Sequence, residues 1–276
     1  MKLINLIENK PVDNGLQYEH GLSFYVETQH HRLLIDTGAS DAFLYNADML
    51  GVDLCQVDTL ILSHGHYDHT GGALAFAQRN PQAQIYLQTT AGGEYYHNDA
   101  QSERYIGIDK RILSLPQVHL MDGNYVIDDE ISVFSHVIGR ELWPVGNHGL
   151  KQKIGQQFID DSFAHEQYVV LSEAGKNVLI SGCAHNGIIN ILHTYEDVYG
   201  SVPDVVFSGF HMKKSTDYTE EEKHIICATA IELTNLPTIF YTGHCTSEAG
   251  YQLMHEIMGG QLRESHTGDQ FQLSDV

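Results

Sequence analysis

Apolar and polar positions along this chain alternate between two periods. Short, nearly continuous apolar runs at 3–7, 22–28, 32–35, 57–62 and 84–87 have the length of strands. Between them, 40–50 and 72–79 carry apolar residues at helical spacing, and Ser40 is suited to cap the first of these helices. The last third repeats the theme. Residues 168–172 and 178–181 read as a strand pair about the turn Ala174-Gly175-Lys176-Asn177. Strands at 204–208 and 238–242 then alternate with helices at 187–199, 219–232 and 247–258. Strand-like pieces at 117–121 and 131–137 lie between the two halves. Two runs of strands, each followed by helices, predict sheets packed face to face with helices outside.

Two stretches break the rhythm. Residues 91–115 are rich in Tyr, Gly and charge, and read as an insertion or lid on a single domain spanning 1–276. Residues 139–165 have weak periodicity and carry Trp143-Pro144, Gly146 and Gly149, which reads as a long loop near a functional site.

The remaining bulk features narrow the function. The N-terminal apolar run is broken at Asn5 and Glu8, too short for a secretion signal. No stretch approaches the roughly 20 apolar residues of a membrane helix. A cytoplasmic protein with no membrane partner is expected. The formal net charge of −21 repels phosphate backbones, which argues against long nucleic acid as a partner and for a small-molecule substrate. Lys213-Lys214 and Lys151/Lys153 read as solvated surface, able at most to hold one phosphate. Cysteines at 55, 183, 227 and 245 form no Cys-x-x-Cys pair, so neither a disulfide framework nor an all-cysteine zinc site is expected. Cys227 reads as core.

Histidine changes the picture. The chain has 18, and histidine is the commonest metal ligand. The segment Ser63-His64-Gly65-His66-Tyr67-Asp68-His69-Thr70-Gly71-Gly72 places four metal-competent side chains between a strand and a helix. His64 and His66, two apart, can point the same way. Asp68 and His69, at the turn into the helix, can reach a second point nearby. Packing these groups without metal would leave several polar atoms unpaired, at about 1–3 kcal/mol each. Two metal centres about 3.5–4 Å apart would suit the cluster.

At these residues the chain resembles the metallo-β-lactamase superfamily, whose hallmark is His-x-His-x-Asp-His. The resemblance implies an α/β fold, the αββα four-layer sandwich, with the metal site at one edge between the sheets. Asp36 in Asp36-Thr37-Gly38 looks like the buried aspartate that supports the metal loop without binding metal. Glu19-His20-Gly21-Leu22-Ser23, Gly182-Cys183-Ala184-His185-Asn186-Gly187, Gly209-Phe210-His211 and Gly243-His244-Cys245-Thr246 extend the likeness. They resemble the metal-dependent hydrolases grouped with the dihydropterin ribofuranosylaminobenzene phosphate synthase.

The resemblance implies His244 as the last histidine, on the second metal. Cys183 stands where the superfamily usually has a bridging Asp, and His185 lies two residues on. His185 is therefore expected to complete the first shell with His64 and His66, while Asp68, His69 and His244 hold the second metal. Cys183 is either a soft thiolate ligand or a small packed residue. His136, His148 and His165 are reserve candidates for the third histidine. His211 is expected to contact substrate or transition state, and His20 and Glu19 to line the same cleft. The expected cofactors are two divalent metal ions, zinc first, with manganese or iron as alternatives. The expected reaction is hydrolysis of a small, phosphorylated or heterocyclic substrate by a metal-activated water, with Asp68 orienting that water and His211 assisting. Tyr95, Tyr96 and Tyr105 could stack on a ring substrate or pack on their own loop. Two other readings compete: a pterin-related bond-forming synthase, and a non-catalytic metal-containing binding protein. A diiron oxygen-reducing enzyme is a weaker fourth, since the chain has no room for a flavin domain.

Overall fold

Successive residues of each apolar run point into different cores. This holds throughout the computed structural model, which describes residues 1–10, 15–98 and 103–275. Leu33, Ile35 and Ile61 face Val178, Ile180, Val205 and Phe207 in a central core. Their neighbours Leu34 and Leu60 turn the other way, onto Phe43, Ala47 and Phe76. On the opposite side Leu179, Val206 and Phe240 pack on Ile188, Leu192, Ile226 and Met254. Strands buried on both faces read as continuous apolar runs, which is why period two is faint in this sequence. Three cores between four layers give the helix–sheet–sheet–helix sandwich.

The strands in chain order begin with β1 (Lys2–Ile7), β2 (Ser23–Glu27), β3 (Arg32–Ile35), β4 (Thr59–Ile61) and β5 (Gln84–Gln88). Next come β6 (Tyr95–Asn98), β7 (Glu103–Tyr105), β8 (Val118–Met121), β9 (Tyr125–Val126) and β10 (Ile131–Phe134). The remainder are β11 (Leu150–Ile154), β12 (Gln157–Asp160), β13 (Tyr168–Glu173), β14 (Lys176–Ser181), β15 (Val205–Ser208), β16 (Ile239–Thr242), β17 (Leu262–Glu264) and β18 (Gln270–Gln272). One sheet has the order β18-β1-β2-β3-β4-β5-β8, the other β17-β16-β15-β14-β13-β10-β9. In the first, β3, β4, β5 and β8 run parallel. In the second, β14, β15, β16 and β17 do so. Parallel neighbours end at the same edge, so the turns after β3, β4, β14, β15 and β16 gather in one place.

The helices are α1 (Ala42–Met49), α2 (Tyr67–Thr70), α3 (Ala73–Arg79), α4 (Ile188–Tyr199), α5 (Glu220–Thr234) and α6 (Glu248–Met258). Thr219 and Glu222 form a reciprocal capping box at α5. Gly200, at φ 70°, closes α4 in the left-handed conformation that glycine adopts freely. Asp41, not Ser40, occupies the N-cap position of α1, and its side chain makes no capping bond. The Ser40 hydroxyl donates to Glu19 and accepts from Ala42 N at 3.2 Å, so it ties the turn to the chain ahead of it. Cys227, expected in the core, is half-buried on α5.

The stretch 139–165 is not a simple loop. It carries the β11–β12 hairpin, and β11 pairs with β6 of the 91–115 insertion, Leu150 opposite His97 and Lys151 opposite Tyr96. With β7 they make a separate four-stranded sheet beside the site. Exposed polar faces on these strands hide the alternation that would mark them in the sequence. Among the described residues, no helix is long and apolar enough to cross a membrane.

Phe207 stacks on Tyr241 at 4.7 Å and meets Phe24 and Phe271 edge-on between the sheets. Phe207→Ala is expected to cost about 3–5 kcal/mol through the cavity it leaves. Urea unfolding would show this as a lower midpoint with an unchanged slope.

Candidate metal centre

The turn after β4 carries the histidine segment, and its neighbours hold it rigidly. Asp36, at the end of β3, accepts from Ser63 N and Ser63 Oγ at 2.7 Å each and from His69 Nδ1 at 2.6 Å. Thr37 N donates to His69 O at 2.8 Å, and Tyr67 N to Ile106 O of the insertion at 2.8 Å. A Cβ on Gly71 would lie 2.1 Å from Ala39 O, so only glycine lets the two turns approach this closely. The strand-end turns reverse sharply through Asp36 (φ 60°), Ala184 (φ 55°), His211 (φ 49°) and His244 (φ 50°). Left-handed backbone at non-glycine residues is costly and gathers at functional sites.

Two groups of ligand atoms converge on Cys183, each with its atoms within 4.8 Å of one another. Asp68, His69, Cys183 and His244 form one, and His64, Cys183 and His185 the other. His66 forms a third group with Asp161 and His165, and its Nδ1 also lies 3.1 Å from His64 Nε2. In the first group, His69 Nε2 is 3.1 Å from Cys183 Sγ and 3.2 Å from His244 Nε2. His244 Nε2 is 3.4 Å from Asp68 Oδ2. A tetrahedral zinc with ligands about 2.0–2.1 Å away sets neighbouring ligand atoms roughly 3.3 Å apart. These three spacings match, while His69 Nε2 and Asp68 Oδ2 stand wider, at 3.9 Å.

The surrounding acceptors settle which nitrogen faces inward. His69 Nδ1 donates to Asp36. Asn9 Nδ2 donates to His244 O, leaving Asn9 Oδ1 to accept from His244 Nδ1 at 2.8 Å. Asn147 does the same for His185, with its Nδ2 on the backbone carbonyl and its Oδ1 3.1 Å from Nδ1. The Ser63 hydroxyl, spent on Asp36, accepts from His64 Nδ1 at 2.9 Å. All four imidazoles therefore aim an Nε2 lone pair inward. Facing lone pairs repel unless a cation lies between them. His66 Nε2, His185 Nε2 and His211 Nδ1 are buried without a hydrogen-bond partner. This donor set fits divalent metal ions, and acceptors on the far ring nitrogens are what metal-ligating histidines require.

The electrostatics agree for His64, His185 and His244; His69 would give up its Nε2 proton on binding metal. Burial pushes His66, His20 and His211 down to about 3, and His64 and His185 well below their ordinary value. His69 goes the other way: burial opposes its charge, but Asp36 raises it to about 9. Burial also opposes ionisation of Asp68, yet His244 and His69 hold it well below the carboxylate range. Burial pushes the Cys183 thiol up.

The other expected residues divide. His20 stacks on His244 at 5.0 Å and reaches Asp68 Oδ2 at 3.3 Å. His211 lies 4.0 Å from the His185 ring and lines the cleft with it. Glu19 does not line that cleft; it binds Ala39 N, Ser40 N and Ser40 Oγ and holds the turn after β3. His136 and His148 are exposed. His165 is buried beside His66 and Asp161, but it accepts from Gly65 N and its other nitrogen binds Asp161, so it braces the loop. Tyr95 is buried, with its hydroxyl on Thr90 O. Tyr96 and Tyr105 pack on each other in a separate outer groove. The sequence reading missed Glu8, Asn9, Asn147, Asp161 and Glu166. Glu166 binds the backbone N–H of His185 and Asn186, and Glu8 that of His244. Single polar residues of this kind carry no spacing signal.

These features place the chain in a known class: it belongs to the metallo-beta-lactamase superfamily, whose family model matches residues 18–219. Within that class, the chain is 23% identical over 269 residues to the 7,8-dihydropterin-6-methyl-4-(beta-D-ribofuranosyl)-aminobenzene-5'-phosphate synthase of Methanocaldococcus jannaschii. That match covers 91% of this chain and 88% of the synthase. An uncharacterised protein of the same organism is 29% identical over 203 residues, 72% of this chain and 75% of its own. A crystal structure described as a metal-dependent hydrolase of the beta-lactamase superfamily superposes with TM-score 0.81 at 27% identity, with 99% of each chain covered. Zinc-bound PqqB from Methylobacterium extorquens shares the fold at TM-score 0.61 and 10% identity, over 99% of this chain and 100% of PqqB.

Asp36→Asn keeps the shape but weakens the grip on His69, and zinc affinity is expected to fall about 10–100-fold in a chelator competition titration. The depressed histidines also set a pH dependence. Their ordinary value is 6.5, and in the folded metal-free protein His66, His20 and His211 titrate at about 3. Between these limits the unfolded chain binds more protons, so stability present above pH 6.5 is lost as pH falls toward 3. His69 contributes oppositely, losing its share as pH rises from 6.5 through about 9. Chelator-treated protein should therefore unfold at lower urea at pH 5 than at pH 7; the reverse order would contradict these environments.

Proposed function

We propose that this chain is a metal-dependent hydrolase acting on a small, anionic, phosphorylated or heterocyclic substrate. The observation that carries the reading is the set of four buried imidazoles, each locked by a different acceptor so that its Nε2 faces the ligand groups around Cys183. In this reading His64, His66 and His185 hold one divalent metal, zinc first among candidates. Asp68, His69 and His244 hold the second, with Cys183 between the two sets. Bound metals would supply Lewis-acid polarisation and a nucleophilic water at neutral pH.

The chain's own residues do the rest. The cleft holds about 620 Å³, a small-molecule size, and is bordered by His20, Tyr67, Arg104, His211, Lys213 and Lys214. Lys214 is paired with Glu222. On a chain of net charge −21, Arg104 and Lys213 at this mouth favour an anionic group on the substrate. Asp68, steadied by His20, orients the attacking water. His211, kept neutral by burial, stabilises charge that develops on the substrate through its ring N–H.

The likeness to a named synthase supports a second reading, in which a carbon nucleophile replaces water at the same site. Turnover of phosphodiesters, thioesters and lactones in oxygen-18 water separates the two. Hydrolysis puts the heavy oxygen into product; a synthase leaves it out. His211→Ala should lower kcat by about 10²–10³-fold with metal content unchanged. His66→Ala should lose metal and activity together, and retention of both would overturn the assignment.

A further inference from the structure

β14, β15 and β16 are parallel neighbours, with Ser181 beside Ser208 and Phe207 beside Tyr241. Cys183 follows β14 and Cys245 follows β16, so β15 stands between them. It ends at Ser208, and the missing side chain of Gly209 just beyond it opens a gap. A Cβ on Gly209 would lie 2.3 Å from Cys245 Sγ and 3.5 Å from Cys183 Cα. Through that gap the Cys245 thiol crosses the end of β15 and donates to Cys183 O at 3.5 Å. Both thiols are free, buried and on the floor of the metal cleft. The other two cysteines lie elsewhere: Cys55 is exposed after α1, and Cys227 sits on α5.

We propose that Cys183 and Cys245 are an oxidative modification site, a dithiol that a peroxide converts to a disulfide and that thereby gives up a ligand atom of the metal centre. With hydrogen peroxide, the sulfur of one thiol displaces water from the peroxide and becomes a sulfenic acid. The second thiol's sulfur attacks that sulfur, forms the S–S bond and releases a second water. Both thiol protons leave in the two waters, and the peroxide is reduced by two electrons. Cys183 Sγ belongs to both ligand groups, so the disulfide takes an atom from each. Conversely, metal bound to Cys183 shields its sulfur. The cross-link rests on the thiol geometry alone; only its effect on metal rests on the function proposed above.

The test uses the full chain, stripped with chelator and treated with hydrogen peroxide. Digestion without reductant is expected to yield a Cys183–Cys245 linked peptide that dithiothreitol reverses. The link should persist in a C55S/C227S double variant and vanish in C245S, with circular dichroism confirming that both variants fold. Zinc affinity of the oxidised wild type should fall at least about 10-fold by competition titration, and zinc added first should slow cross-linking. Sulfinic or sulfonic acid on Cys183 with Cys245 still reduced, or links through Cys55 or Cys227, would overturn the proposal. A cross-link that leaves zinc affinity unchanged would overturn its ligand part while leaving the pairing in place.

Discussion

The Asp36 carboxylate accepts three hydrogen bonds, from Ser63 N, Ser63 Oγ and His69 Nδ1. Charge-assisted bonds of this kind are worth about 1.5–3 kcal/mol each, and leaving the carboxylate unpaired would cost more. Their effect is geometric as much as energetic. They join the turn after β3 to the turn after β4, fix the plane of the His69 ring, and occupy the Ser63 hydroxyl so that it can only accept from His64. Two inward-facing imidazoles thus depend on one side chain. The φ of 60° at Asp36 is the backbone strain that this placement requires.

The same logic is distributed around the site. Asn9 from the end of β1 orients His244, and Asn147 from the segment before β11 orients His185. Glu8 and Glu166 hold the backbone N–H groups of those two turns. Glu8 and Asn9 are neighbours, but Asn147 and Glu166 come from other parts of the chain, so the site closes only when both sheets and the small four-stranded sheet are in place. A buried network of this kind is costly if one member is missing, because the freed group stays out of water. It therefore couples the order of the metal centre to completion of the fold.

Much of the architecture was legible in local pattern. The apolar runs that became β3, β4, β14, β15 and β16 have strand length and feed Gly- or Asp-marked turns. The histidine segment, Asp36, His185, His211 and His244 stand out because they occupy those turns. Other parts were hidden. β6, β7, β11 and β12 have half-exposed faces and short lengths, so neither period registers, and their pairing joins residues some fifty positions apart. Tyr96 and Tyr105 could equally have stacked on a ligand or packed on their own loop; they pack on each other and line a groove of their own.

Taken alone, the sequence determined the alternation of strands and helices, the layer order and the identity of most candidate ligands. Those properties are local: they lie in the spacing of apolar residues and in ligands grouped within a few positions. The tertiary structure decided which nitrogen of His64, His69, His185 and His244 faces inward, that His165 accepts from Gly65 N and binds Asp161, and that Cys245 reaches Cys183 across Gly209. Any Asn, Glu or Asp can bind a backbone group or a ring nitrogen, so such partners carry no signature until long-range strand pairing brings them together. Gly209 is the simplest case. Its role is the absence of a side chain at one sheet position, and it has meaning only once β14 and β16 lie on either side of β15.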